Sequence, residues 1–280
     1  MRIVTYRADR GNRAGVLVGD GIVDASEALG GEGSTVRELL ASDRVEELRS
    51  AAESTSASVA LADVELLPPV PDPDKILCIG LNYREHAAEA GIDPPETPTF
   101  FAKFRNALAP AGATVQLPAA SSKVDYEAEV AFVIGRRCRE VAEVEAGGYV
   151  AGYMLFNDLS ARDLQFATPQ WMPGKVFDGS APCGPALVTP DEGEVDGSIS
   201  FSLELNGEEM QDSSTDDLIF GIPELVAHLS RLMTLEPGDI VSTGTPSGVG
   251  STRDPRVWLK PGDEIVISSP TLGRLETRLA

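Results

Sequence analysis

From residue 75 onward the chain is a succession of short β-favouring runs: KILCIGLN, TPTFFAKF, YEAEVAFVIG, YVAGYMLFND, ALVTP, SISFSLELNGEEM, DIVSTG and DEIVISS. Gly, Pro and Asn turns separate most of them, and few intervening segments are long enough to serve as crossover helices. A doubly wound parallel sheet needs such helices, so the pattern predicts a β-rich mixed α+β fold instead. The clear helix is IPELVAHLSRLM, where Ile222, Leu225, Val226, Leu229 and Met233 recur at helical spacing.

Residues 1–66 read as a smaller α+β unit. MRIVTY and AGVLVGDGIVDA suggest a hairpin turned at Gly-Asp-Gly, and STVRELLA and RVEELRSAAE suggest helices opened by Ser34 and Asp43. The proline-rich LPPVPDPDK, residues 67–75, breaks both periodicities. A small N-terminal domain over 1–70 and a larger domain over 71–280 follow.

With 42% hydrophobic residues the chain has material for a sizeable core. Its start shows no apolar leader and no segment approaches the ~20 apolar residues of a membrane span, so a cytoplasmic location is expected. Cys78, Cys138 and Cys183 are odd in number and lack CxxC spacing, which argues for buried thiols and against a disulfide framework or a cysteine zinc site. The net charge of −21 disfavours nucleic acid and anionic membranes as partners. An anionic substrate would bind against that field and would need local positive charge.

In YEAEVAFVIG, read as a strand over 126–135, Glu127 and Glu129 share a face, roughly 6.5–7 Å apart along the strand. A solvated strand face would explain the pair. Ala131 and Val133, however, continue that face with apolar residues, and two carboxylates against an apolar surface repel unless a cation or protons intervene. Asp158 adds a third carboxylate where YVAGYMLFN gives way to a turn; by itself it reads as an N-cap for residues 159–165. Together, three carboxylates without cysteine or clustered histidine make a hard oxygen site suited to Mg²⁺ or Mn²⁺.

His86 and Glu89 in GLNYREHAAEAG are three apart, neighbours on a helical turn and able to form a base dyad or a plain surface contact. His228, inside the amphipathic helix, reads as structural. Lys175 sits in a Gly/Pro-dense loop where one cation could meet a carboxylate or a developing oxyanion. Arg162 and Gln165 would share a face with Asp158 if a helix begins there. STGTPSGVG lacks the GK[ST] ending of a phosphate loop; a close backbone approach to a carboxylate, with Thr245 donating, is the more economical use.

As a set, these residues resemble the fumarylacetoacetate hydrolase family from about residue 74 to the C-terminus. GLNYREHAAE, DYEAEVAFVIG, FNDLSARDLQ, the Gly-Lys of MPGKVFDGSAPCGP, and PGDIVSTGTPSGVG occur in the family's order and approximate spacing. The resemblance implies a mixed β-sandwich or β-roll catalytic domain and frequent dimerisation. It implies that Glu127, Glu129 and Asp158 hold the metal and that His86 with Glu89 activates water. It also implies that Lys175, Arg162, Gln165 and Thr245 contact substrate or stabilise charge. Animal enzymes that cleave fumarylacetoacetate carry a further carboxylate before the catalytic histidine. The stretch around Ile79 and Gly80 offers none, which argues against that particular substrate and favours the smaller bacterial-type members of the family.

The expected activity is hydrolysis of a C–C bond in a 2,4-dioxo acid, acylpyruvate-like or fumarylpyruvate-like, through a metal-stabilised enolate. An oxaloacetate-type decarboxylase or a 2-hydroxyhepta-2,4-diene-1,7-dioate-type isomerase would use the same groups. A metal-stabilised binding module without turnover is the alternative from another class. A Rossmann-type dehydrogenase is disfavoured, since no GxGxxG opens a helix after a strand.

Overall fold

The computed structural model describes residues 1–9, 11–31, 34–192 and 198–280. The chain opens with strands β1 (Arg2–Ala8), β2 (Gly11–Val18) and β3 (Gly21–Asp24), then helices α1 (Ala25–Leu29), α2 (Val36–Ala41) and α3 (Val45–Ser54). β2 and β3 form the foreseen hairpin, with Gly19 at φ 58° in its turn. The helix starts differ from expectation by one residue. Thr35, not Ser34, caps α2, because Glu38 three residues on completes a capping box with it. Asp43 caps nothing: it takes a left-handed turn at φ 55°, and α3 starts after Arg44.

After the proline-rich segment come β4 (Ile76–Gly80), α4 (Arg84–Ala90), β5 (Thr99–Lys103), β6 (Ala113–Val115) and β7 (Ala128–Ile134). Next are α5 (Glu143–Ala146), β8 (Val150–Asn157), α6 (Arg162–Gln165), β9 (Ala181–Val188), β10 (Ser200–Leu205) and β11 (Glu208–Ser214). The chain ends with α7 (Ile222–Leu232), β12 (Ile240–Ser242), β13 (Glu264–Ser269) and β14 (Gly273–Leu279).

Two sheets result. The larger runs β3-β2-β1-β9-β8-β7-β12-β4-β5, with short two-residue strands added at its margins; the smaller runs β11-β10-β13-β14-β6. β12 lies parallel to β4 and β6 parallel to β14, so both sheets are mixed. The N-terminal strands belong to the larger sheet, because β1 pairs with β9, Arg2 opposite Val188.

β7 is buried along its whole length. Ala128 and Val130 pack with Phe201, Leu203, Ile265 and Ile267 of the smaller sheet. Phe132 and Ile134 meet Leu225, Val226 and Leu229 of α7. Ala131 and Val133, on the other face, share a core with Ile3, Val16 and Leu39 of the N-terminal stretch. The solvated-face reading of this strand is therefore wrong. Cys78, Cys138 and Cys183 are free and buried, as expected. Among the described residues no helix is long and apolar enough to cross a membrane.

Candidate active site

Glu127 lies one residue before β7, Glu129 lies within it, and Asp158 lies one residue past β8. Their meeting is a consequence of register: β7 and β8 run antiparallel with Ala128 opposite Asn157. Glu127 is thereby brought beside Asp158, whose N–H donates to the Glu127 carbonyl at 2.9 Å. Asp158 caps no helix, since α6 begins only at Arg162 behind Ala161, which corrects the simpler reading of that residue. One carboxylate oxygen from each of Glu127, Glu129 and Asp158 lies within 4.8 Å of the others, and all three residues are buried.

Each carboxylate has different company. Glu127 accepts from Lys175 Nζ at 2.5 Å, from Ser160 Oγ at 3.1 Å and pairs with Arg162 Nη2 at 2.7 Å. Burial would raise its carboxyl, but Arg162 and Lys175 outweigh that and hold it below the usual range. Asp158 is held by Lys103 Nζ at 2.5 Å and by Lys175 Nζ at 2.8 Å. Glu129 has no cation: the Ser242 hydroxyl donates a short hydrogen bond to it, and the Gly244 N–H donates at 3.1 Å. Burial, then the negative charges of Asp158 and Glu127, push its carboxyl well above the ordinary value. Arg162 is also fixed by Asp125, Nε to Oδ2 at 2.9 Å, and donates through Nη1 to Gln165 Oε1 at 3.0 Å.

Around the cluster, four buried carboxylates, Asp125, Glu127, Glu129 and Asp158, face three buried cations, Lys103, Arg162 and Lys175. With all four ionised the carboxylates would exceed these cations by one charge, and Glu129 is the carboxylate that forms no salt bridge among the described residues. A divalent cation among the three converging oxygens would reverse that sign and leave room for an anionic ligand. The donors are hard oxygens without sulfur or imidazole, so the residues fit Mg²⁺ or Mn²⁺ and do not fit a structural zinc site.

A cavity of about 220 Å³ opens onto the cluster. Every site residue expected from sequence lines it except Glu89. His86, on α4, lines the cavity, and Glu89 Oε2 lies 3.1 Å from its Nδ1. Glu89 in turn accepts from the Gly248 N–H at 3.0 Å. Burial works against the Glu89 carboxylate, but His86, Gly248 and Thr252 more than compensate and lower its pKa. It stays ionised near neutral pH and orients the imidazole. Thr245 reaches the cavity, yet its hydroxyl donates to the Ala128 carbonyl at 3.0 Å and accepts from Gln211 at 2.9 Å. His228, on α7, does not line this cavity.

Sequence reading missed Lys103, Asp125, Ser242 and Gln211. Lys103 closes β5, within the run TPTFFAKF, in the strand-alternation slot of Phe101, one face of an apolar strand, and that pattern was its signal. Asp125 stood beside the recognised Glu127 and went unused because it precedes the alternating run. Ser242 and Gln211 carry no local signal. At Gly80, which supplies no further carboxylate, a Cβ would come within 2.4 Å of Trp171 Cζ3. The indole occupies the space a side chain there would need.

The family described as Fumarylacetoacetate (FAA) hydrolase C-terminal matches residues 75–280. The mitochondrial oxaloacetate tautomerase Fahd2a of Rattus norvegicus is 37% identical over 284 residues, spanning 98% of this chain and 90% of that protein. The crystal structure of 2-hydroxyhepta-2,4-diene-1,7-dioate isomerase from Mycobacterium marinum is 30% identical at a TM-score of 0.79, covering 100% of this chain and 98% of that one. Maleylpyruvate hydrolase from Sphingobium sp. SYK-6, solved with manganese(II) and pyruvate, is 30% identical at a TM-score of 0.82, covering 100% and 99%.

Proposed function

Since the chain belongs to the fumarylacetoacetate hydrolase family, a family of enzymes, we propose that it hydrolyses a C–C bond of a small 2,4-dioxo acid with the help of Mg²⁺ or Mn²⁺. The observation that carries this reading is the position of His86, paired with Glu89, on the same cavity as the three-carboxylate cluster. Hydrolysis needs a base for water as well as a site for the oxo acid, and His86 and the carboxylate cluster would supply the two.

Glu127, Glu129 and Asp158 would hold the cation, which when bound supplies Lewis-acid polarisation of the 2-oxo group. The chain's own residues do the rest. His86 Nε2 takes a proton from a water molecule, while Glu89 holds Nδ1 and stabilises the imidazolium that forms. Hydroxide attacks the distal carbonyl, the C–C bond breaks, and the electron pair leaves as the enolate of pyruvate. Lys175 and Arg162 place positive charge beside the carboxylate and enolate oxygens. Protonation of the enolate carbon completes the reaction. Substrate binding and the metal assignment draw support from the maleylpyruvate hydrolase, which holds manganese and pyruvate.

The relationship to an oxaloacetate tautomerase supports a second reading, in which the same residues only move a proton between the oxygen and C3 of a 2-oxo acid. The two are separated by one assay of acylpyruvates and of oxaloacetate with Mn²⁺ or Mg²⁺, with and without chelator. Hydrolysis predicts metal-dependent release of pyruvate from an acylpyruvate. Tautomerisation predicts loss of the enol absorbance of oxaloacetate without pyruvate release. A binding module predicts neither.

A further inference from the structure

The cavity has two unlike sides. Its charged groups are clustered together, whereas the remaining wall is mostly apolar, built by Ile79, Leu81, Ile92, Phe101, Phe166 and Trp171, with Ser251 and Thr252 as its small polar members. Phe101 and Trp171 meet edge to face with centroids 6.0 Å apart, and the indole rests on Gly80, so this part of the wall is fixed. Ile92 and Phe166 stand at 53% and 66% exposure, uncommon for large apolar side chains, and both line the opening.

The cations are committed elsewhere. Arg162 donates to Asp125, Glu127 and Gln165, and Lys175 donates to Glu127 and Asp158. Among the described lining residues the remaining basic group is His86, which is tied to Glu89. A carboxylate on the far end of a substrate would lose water against this wall, where the ammonium over Phe101, Lys175 at 4.9 Å from the ring centroid, is already held by Glu127 and Asp158. A methyl, alkyl or phenyl tail would lose nothing and would bury apolar surface.

We propose that this pocket selects 2-oxo acids whose tail is uncharged and apolar, and discriminates against those bearing a second, distal carboxylate. The inference rests on the reading of the cluster as a 2-oxo acid site. Phe166 and Trp171 are then specificity-determining residues that act on the tail and not on the reacting carbons.

The test is calorimetric binding of a matched pair, 2-oxohexanoate and 2-oxohexanedioate, to the Mn²⁺-loaded protein. The monoacid is expected to bind at least about tenfold more tightly. Phe166→Arg, at an exposed position that tolerates a polar side chain, is expected to bring the two within about threefold by offering the distal carboxylate a partner. Equal or tighter binding of the diacid, no binding of either acid, or an unchanged ratio in Phe166→Arg would overturn the proposal. Pyruvate release from 2,4-dioxoheptanoate is then measured separately. Tight monoacid binding without that release would leave the tail preference standing and remove hydrolysis.

Discussion

Glu129 is the buried carboxylate that no cation answers, and its behaviour separates a metal seat from a structural ion-pair network. Its raised pKa means that, in metal-free protein, its favourable contribution is complete below the ordinary carboxylate range and is lost as pH rises through the elevated folded value. Glu127, shifted the other way, contributes above the ordinary range and loses that contribution as pH falls. Chelated Glu129→Gln is therefore expected to be more stable than chelated wild type at pH 8, by about 1–4 kcal/mol, with the gap closing towards pH 5. Urea denaturation across that range measures it; a pH-independent gap would mean the charge on Glu129 costs nothing. Lys103 has the opposite character. Its ammonium is fully buried against Asp158, so Lys103→Met is expected to destabilise by about 3–5 kcal/mol, read from the same denaturation curves. His86→Ala should leave Mn²⁺ affinity nearly unchanged and slow pyruvate release at least ~10²-fold; an unchanged rate would remove the base from the mechanism. The carboxylates and His86 were legible because each sits in a local pattern, strand alternation or i,i+3 spacing. Ser242 and Gln211 were not, since their roles arise from a pairing of β12 with β7 and from a reach across to Ala128.

At the scale of elements, the antiparallel register of β7 on β8 converts a sequence separation of 31 residues between Glu127 and Asp158 into contact. The end of β4 sets the opposite wall. Gly80→Ala would drive a methyl into the Trp171 indole, and the ring's open direction is the cavity. The expected outcome is a raised KM for the 2-oxo acid with a stability loss of about 1–3 kcal/mol, checked by steady-state kinetics beside thermal melts. A KM equal to wild type would show that the indole yields elsewhere. Strand and helix existence was readable from periodicity, β7 and α7 above all. The caps slipped by a residue because Ser34 and Thr35 are both good caps in isolation, and only the reach of Glu38 chooses between them.

For the whole molecule, the proline-rich break at 67–75 marks a change of local pattern, while the sheet runs through it. β1 hydrogen-bonds to β9, and Met1, Ile3, Val16 and Leu39 share a core with Ala131, Val133, Met154 and Phe156. Pairing between strands more than 180 residues apart leaves no trace in a linear reading. A chain starting at Asp72 would expose Ala131 and Val133, on the same face of β7 as Glu129. It is expected to aggregate or melt without a cooperative transition, as seen by calorimetry, and a well-folded active product would contradict that. The catalytic account depends above all on a cation shared by Glu127, Glu129 and Asp158. Titration calorimetry of Mn²⁺ into chelator-stripped wild type and Glu127→Gln tests it most directly. One site per chain in the wild type, weakened at least about 100-fold in the variant, is the predicted result; no binding to wild type at millimolar Mn²⁺, or equal affinity in both proteins, would contradict it.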